Sequence, residues 1–148
     1  MNLVIDASVS AKWFFSETNS GDARELLKAC ERGEVEFLAP EVLVAEMANL
    51  IWKKVLQRSV DGRYGAAFLD RFRQIPITLQ PTLPLSAAAF ELAVQFRHPV
   101  YDCLYVVLAV KERCDFVTAD RRLFRALNPV LSCVRLLGEA PLENVTPC

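Results

Sequence analysis

Four of the 18 acidic residues stand where acids are not expected. Asp6 closes the apolar run Leu3-Val4-Ile5, and Asp120 follows two residues after Thr118, at the end of Phe116-Val117-Thr118. Glu46 interrupts the otherwise apolar stretch from Val42 to Ala48, and Asp102 opens another that runs from Tyr101 to Val110. An ionised carboxylate in apolar surroundings is costly unless it is paired or holds a cation. Should the four converge, their donor set is all oxygen, which selects Mg²⁺ or Mn²⁺ over zinc or copper. Four carboxylates neutralise two such ions, and two ions about 4 Å apart can activate a water and orient a phosphodiester for in-line attack. A single Mg²⁺ that keeps its waters fits the same donors. Without a cation, the clustered anions repel one another and raise some of their own pKa values.

Each acid also has a plainer role. Asp6 and Asp120 can cap the helices that follow them, and Asp102 can be an acid favoured by a helix N-terminal dipole. Glu46 shares its helical face with Asn49 and Lys53, which would make a solvated polar stripe. Four such coincidences are a weaker explanation than one shared site.

The elements that must position these residues follow from periodicity. Leu3 to Ile5 is a short apolar strand of the kind buried in a parallel sheet. Ala23, Leu26, Leu27 and Cys30 mark an amphipathic helix, with Gly33 placed to end it. Val35 to Ala39 is a second strand, Pro40 a first helical residue, and Val42 to Leu56 a helix. Residues 63–74 form another helix, and Ile77 to Leu79 a strand. Ser86 caps the next helix, with Leu85 and Phe90 as a hydrophobic staple; that helix runs towards Arg97 and stops at Pro99. Tyr101 to Val110 is a helix covered on several sides. Phe116 to Thr118 is a strand, Asp120 begins a short helix ending before Pro129, and Val134 to Leu137 is the last strand. Strands alternate with helices throughout, the signature of a single three-layer α/β/α domain with a mostly parallel sheet over residues 1–148.

The 148 residues are 53% apolar, enough for a sizeable core and a surplus that points to a homodimer. Seventeen basic residues against 18 acidic ones leave a net charge of −1, so affinity for a polyanion must be local. Setting the four acids aside leaves 14 against 17, a net +3 for the rest. Lys53, Lys54, Arg58, Arg63, Arg71 and Arg73 follow two consecutive helices, and Arg121, Arg122 and Arg125 follow Asp120. Arg121, Arg122 and Lys53 are the candidates for gripping a phosphate backbone. Five scattered cysteines with no C-x-x-C argue against a disulfide framework or a zinc knuckle. The one histidine, His98, cannot build a His-rich zinc site. With no basic leader and no long uncharged apolar run, the chain reads as soluble and cytoplasmic, with no membrane partner.

Asp6-Ala7-Ser8, Glu46-x-x-Asn49, Tyr101-Asp102-x-x-Tyr105-x-x-x-Ala109 and Thr118-Ala119-Asp120-Arg121 together resemble the PIN domain. More specifically they resemble the VapC-type ribonuclease toxins of toxin–antitoxin pairs, over residues 1–137. The resemblance implies about five parallel strands, Mg²⁺- or Mn²⁺-dependent cleavage of RNA, homodimerisation and a VapB-like antitoxin partner. It carries the family's acidic quartet onto Asp6, Glu46, Asp102 and Asp120. Asp6, Asp102 and Asp120 would be the metal ligands, with Glu46 completing the shell or positioning the water. Ser8, Asn49 and Thr118 match its supporting polar positions, and Tyr101 and Tyr105 match aromatic positions packed around the site. Asp115 precedes its strand and should lie at the opposite end.

Three rivals remain. A receiver-like phosphoacceptor domain needs adjacent acids after the first strand, where Ala7 and Ser8 stand, and a lysine ending the last, where only Arg135 is near. A haloacid-dehalogenase-type phosphatase needs an acid at the position of Ser8. The third is a PIN-like module that binds RNA or protein without cutting.

Overall fold

The computed structural model describes residues 1–139. In chain order the elements are β1 (Asn2–Ile5), α1 (Ala7–Ser10), α2 (Ser20–Glu31), β2 (Glu36–Pro40), α3 (Val42–Leu56), α4 (Gly62–Phe72) and β3 (Ile77–Gln80). There follow α5 (Ser86–Phe96), α6 (Val100–Glu112), β4 (Asp115–Thr118), α7 (Arg121–Leu127) and β5 (Val134–Leu136). The five strands form one parallel sheet in the order β3-β2-β1-β4-β5, and helices on its two faces make the expected three layers.

Leu3, Val4 and Ile5 are fully buried at the centre of the sheet, as a β-branched strand flanked on both sides requires. Phe37, Leu43, Met47, Leu108 and Phe116 complete the core around them. Trp13 stacks on Phe37 with ring centroids 5.5 Å apart, and its indole N–H donates to the Ala23 carbonyl at 2.9 Å. Helix α6 packs across β1, β2 and β4 and against α5. Gly33 ends α2 at a φ of +73°, which an L side chain rarely adopts.

Several local expectations are corrected. Pro40 is the last residue of β2, opposite Gln80 of β3 and beyond the rungs shared with β1, so its missing N–H interrupts no pairing with β1. Ser86 does not cap α5. A 3-10 turn over Leu83–Leu85 leads into the helix, and the Ser86 hydroxyl donates to the Leu83 carbonyl at 2.7 Å. The staple does not form, because Leu85 is buried while Phe90 is 61% exposed. Asp115 lies within β4, not before it, although at the end remote from Thr118. The sequence pattern also missed α1, the single turn that starts right after Asp6. Cys30, Cys103 and Cys114 are free and buried. Among the described residues no helix is long and apolar enough to cross a membrane.

The strand order disposes of the receiver-like rival, whose sheet runs β2-β1-β3-β4-β5. Here the chain moves outward from β1 through β2 to β3, then returns to lay β4 on the other side of β1. The β1/β4 boundary is therefore the topological switch point, and the crevice beyond its strand ends is where open parallel sheets bind ligands.

Candidate active site at the switch point

Topology alone brings the four acids to one edge. Ile5 pairs with Val117, so Asp6 and Thr118 leave the sheet side by side. Asp120 lies two residues further on. Helix α3 departs from the carboxyl end of β2 and carries Glu46 in its second turn, while α6 must begin at that edge to deliver β4 in parallel, which places Asp102 in its first turn.

Asp6 is 7% exposed and tightly held. Its Oδ1 accepts from the Ser8 hydroxyl at 2.6 Å and from the Val9 N–H at 3.0 Å. Its Oδ2 accepts from the Thr118 hydroxyl at 2.6 Å. These bonds use three of the roughly four lone-pair positions of a carboxylate, leaving one for a cation. The Ser8 oxygen in turn accepts from the Ala119 N–H at 2.8 Å, and Thr118 Oγ1 from the Asp120 N–H at 3.0 Å. Ser8 and Thr118 thus tie the end of β1 to the end of β4. Asp120 caps α7, its Oδ1 accepting from the N–H groups of Arg122 at 2.7 Å and Leu123 at 3.2 Å.

Burial raises the pKa of Asp6, with the Asp102 charge adding to it and the Ser8, Thr118 and Val9 donors opposing it. Burial likewise raises Glu46, reinforced by the charges of Asp6 and Asp102. Burial raises Asp102 as well, with His98 lowering it and the Asp120 charge raising it. Asp6, Glu46 and Asp102 therefore lie within electrostatic reach of one another, in surroundings that disfavour their charged forms, and the Asp120 charge reaches Asp102. A divalent cation would relieve both effects, and the oxygen-only donors suit a hard ion. Among the described residues, no three His, Cys, Asp or Glu side chains stand close enough to form a finished ligand cage.

Two contacts went unforeseen. The Tyr105 hydroxyl donates a short hydrogen bond to Glu46 Oε2. His98 Nε2 lies 3.0 Å from Asp102 Oδ2, one turn back along the chain, and has no other partner among the described residues. The i, i+4 spacing of His98 to Asp102 was the available signal for the second.

The other expected residues divide. Arg121 and Arg122 are exposed in the first turn of α7 beside Asp120, and the Arg122 charge reaches Asp102. Asn49 and Lys53 are exposed one and two turns beyond Glu46, and neither bonds to the acids among the described residues. Tyr105 packs as expected, but Tyr101 is 63% exposed and does not. A cavity of about 360 Å³ lies elsewhere, between α2 and β4–β5. Of the acids lining it, Asp115 is paired with Arg135 at 3.2 Å, while Asp22 and Glu25 face solvent; among the described residues no acidic cluster forms there.

The result is a three-layer α/β/α domain with Asp6, Glu46, Asp102 and Asp120 carried by four different segments at the switch-point end of a parallel sheet. The chain belongs to the PIN domain family, whose model matches residues 3–128. It is 31% identical over 121 residues to ribonuclease VapC9 of Mycobacterium tuberculosis, covering 82% of this chain and 87% of that protein. The VapC ribonuclease Mb0985 of Mycobacterium bovis matches to the same extent. Among solved structures, PAE2754 of Pyrobaculum aerophilum superposes with a TM-score of 0.68 at 19% identity, covering 93% of this chain and 92% of that one. VapC20 of Mycobacterium tuberculosis, described as a sarcin-ricin-loop-cleaving toxin, superposes at 0.63 with 15% identity, over 84% and 95%. VapBC2 of Rickettsia felis, solved with a fragment of its promoter DNA, superposes at 0.61 with 14% identity, over 92% and 97%.

Proposed function

We propose that this chain is a Mg²⁺- or Mn²⁺-dependent endoribonuclease, the toxin of a VapBC-type pair, acting in the cytoplasm. One observation supports this above the others: Asp6, Glu46 and Asp102 each have a raised pKa and act on one another, with Asp120 beside them, at the β1/β4 switch point. Asp6, Asp102 and Asp120, with Glu46, would hold the ion. When bound, it supplies Lewis-acid activation of water and neutralises charge on the scissile phosphodiester.

The remaining work falls to the chain. Ser8 and Thr118 fix the Asp6 carboxylate, so that no rotamer must be chosen when substrate arrives. Glu46 has a raised affinity for a proton at the edge of the groove, which suits it to orient the attacking water and take its proton. Arg121 and Arg122 hold the RNA backbone from the start of α7. The partners that go with this reading are an RNA substrate, a VapB-like antitoxin and a second copy of the chain as a homodimer.

The test is cleavage of a mixed pool of structured and single-stranded RNAs with Mg²⁺, with Mn²⁺ and with EDTA, alongside Asp6→Asn purified identically. The expected result is cutting that requires the metal and disappears in the variant. Cutting that survives EDTA or Asp6→Asn refutes the proposal.

A further inference from the structure

We propose that Tyr105 is a positioning residue of the acidic site, its buried hydroxyl fixing the carboxylate of Glu46. The inference rests on the reading of Glu46 as part of that site. Tyr105 and Asp102 lie three residues apart on α6 and therefore share a helical face. Asp102 is partly open to the groove, whereas Tyr105 is 1% exposed. Its ring stacks on Phe116 of β4, with centroids 5.7 Å apart and planes 13° from parallel. Since β4 also ends in Thr118, the same strand that anchors Asp6 sets the height of this ring.

The hydroxyl thus has one available position, and there it donates to Glu46 Oε2 on α3. No other described group donates to that carboxylate. Glu46 is half-buried on a long side chain with three torsions, and without a donor it has several rotamers open to it. The Tyr105 bond selects one of them and leaves Oε1 without a donor among the described residues. Packing on Phe116 needs only the ring, and a phenylalanine would serve it. The hydroxyl is explained by Glu46. Partners of this kind, which orient a ligand without touching the ion, typically change metal affinity or activity by about 10- to 100-fold when removed.

The experiment compares wild type, Tyr105→Phe, Glu46→Gln, the double variant and Asp6→Asn, each stripped of metal. Mn²⁺ affinity is read from the electron paramagnetic resonance of the free ion, and folding from the thermal melt. Tyr105→Phe is expected to keep its melting temperature to within a few degrees and to bind Mn²⁺ about tenfold more weakly. On RNA it lowers kcat and leaves KM unchanged. In the Glu46→Gln background it has no further effect, because the carboxylate it positions is gone. Wild-type affinity in Tyr105→Phe, with Glu46→Gln weakened, overturns the proposal, as do losses that add in the double variant. A different failure, in which neither Glu46→Gln nor Asp6→Asn alters Mn²⁺ binding, overturns the site reading itself and the proposal with it.

Discussion

Replacing Thr118 with valine isolates one oxygen atom at the centre of the site. Valine matches threonine in shape, and the residue is completely buried, so packing survives while the three hydrogen bonds of Oγ1 are lost, the longest of them the 3.4 Å contact with the Ser8 hydroxyl. The bond to Asp6 Oδ2, at 2.6 Å, joins a hydroxyl to a buried carboxylate. Bonds to charged groups contribute about 1.5–3 kcal/mol, and a buried acceptor left short of a donor carries its desolvation cost as well. The bond from the Asp120 N–H, at 3.0 Å, adds less, because Asp120 is exposed and water can replace the hydroxyl. The sum is about 2–4 kcal/mol, which for a domain of this size lowers the melting temperature by roughly 5–15 °C. The loss also has a pH signature. The Thr118 bond stabilises the charged form of Asp6 and opposes the rise that burial causes, so its removal raises the Asp6 pKa further. The deficit is therefore largest when Asp6 is ionised and shrinks as pH falls through its raised pKa. Thermal melts by circular dichroism at about pH 8 and about pH 5 measure both effects. Thr118→Ser, which keeps the hydroxyl and loses a methyl, should cost only about 1 kcal/mol. A Thr118→Val protein melting within about 2 °C of wild type at the higher pH refutes the reasoning, as does a deficit that stays constant into acid.

Two further outcomes follow from the same electrostatics. Asp6, Glu46 and Asp102 all have raised pKa values in the folded chain, so their contribution to stability is fully present below the unfolded-state values and lost as pH rises through the folded ones. In EDTA at neutral pH, Asp6→Asn should therefore melt above wild type, the gap should close in acid, and Mg²⁺ or Mn²⁺ should stabilise only the wild type; melting curves unchanged by metal would contradict this. Arg121→Ala with Arg122→Ala should raise KM for RNA and leave kcat largely intact. It should also flatten the salt dependence of single-strand binding by about 0.7 log units per log of salt for each phosphate that no longer has an arginine beside it; fluorescence-anisotropy titrations across salt concentrations measure the slope, and an unchanged slope excludes these arginines from the RNA path.

The alternation of strands and helices was legible because buried parallel strands are written as short apolar runs, and Leu3-Val4-Ile5 and Phe116-Val117-Thr118 are unmistakable ones. Strand order was not legible, since nothing local records on which side of β1 the chain returns after β3. Local rules failed where a neighbouring element supplied what they assumed missing. Pro40 reads as a helix start but fits the end of β2, where it pairs only with β3. Ser86 reads as a cap, yet the 3-10 turn before it already leads the chain into α5. Of the site, the acids stood out because they break apolar runs. Tyr105 was matched only as a packing aromatic, and its bond to Glu46 and that of His98 to Asp102 were not legible, because an aromatic or a lone histidine on an apolar face is ordinary until its partner on another turn or helix is known.

For Asp6 and Asp120 the helix-cap role and the proposed ligand role do not exclude each other. Asp6 caps α1 through Oδ1 and the Val9 N–H; Asp120 caps α7 through Oδ1 and two N–H groups. In each case the backbone of a helix start fixes one oxygen of the carboxylate and thereby aims the other. For Asp120, no described group donates to Oδ2. A cap is an economical way to orient such a group, because the helix N–H groups would need an acceptor in any case. It also explains why α1 and α7 can be so short. Their role at the switch point is to present N–H groups at the ends of β1 and β4, and one or two turns suffice for that. The same logic separates Glu46 from Asp6 and Asp120. It lies inside α3, where the first-turn N–H groups are out of reach, so its orientation must come from another element, and the Tyr105 hydroxyl is the donor the fold provides.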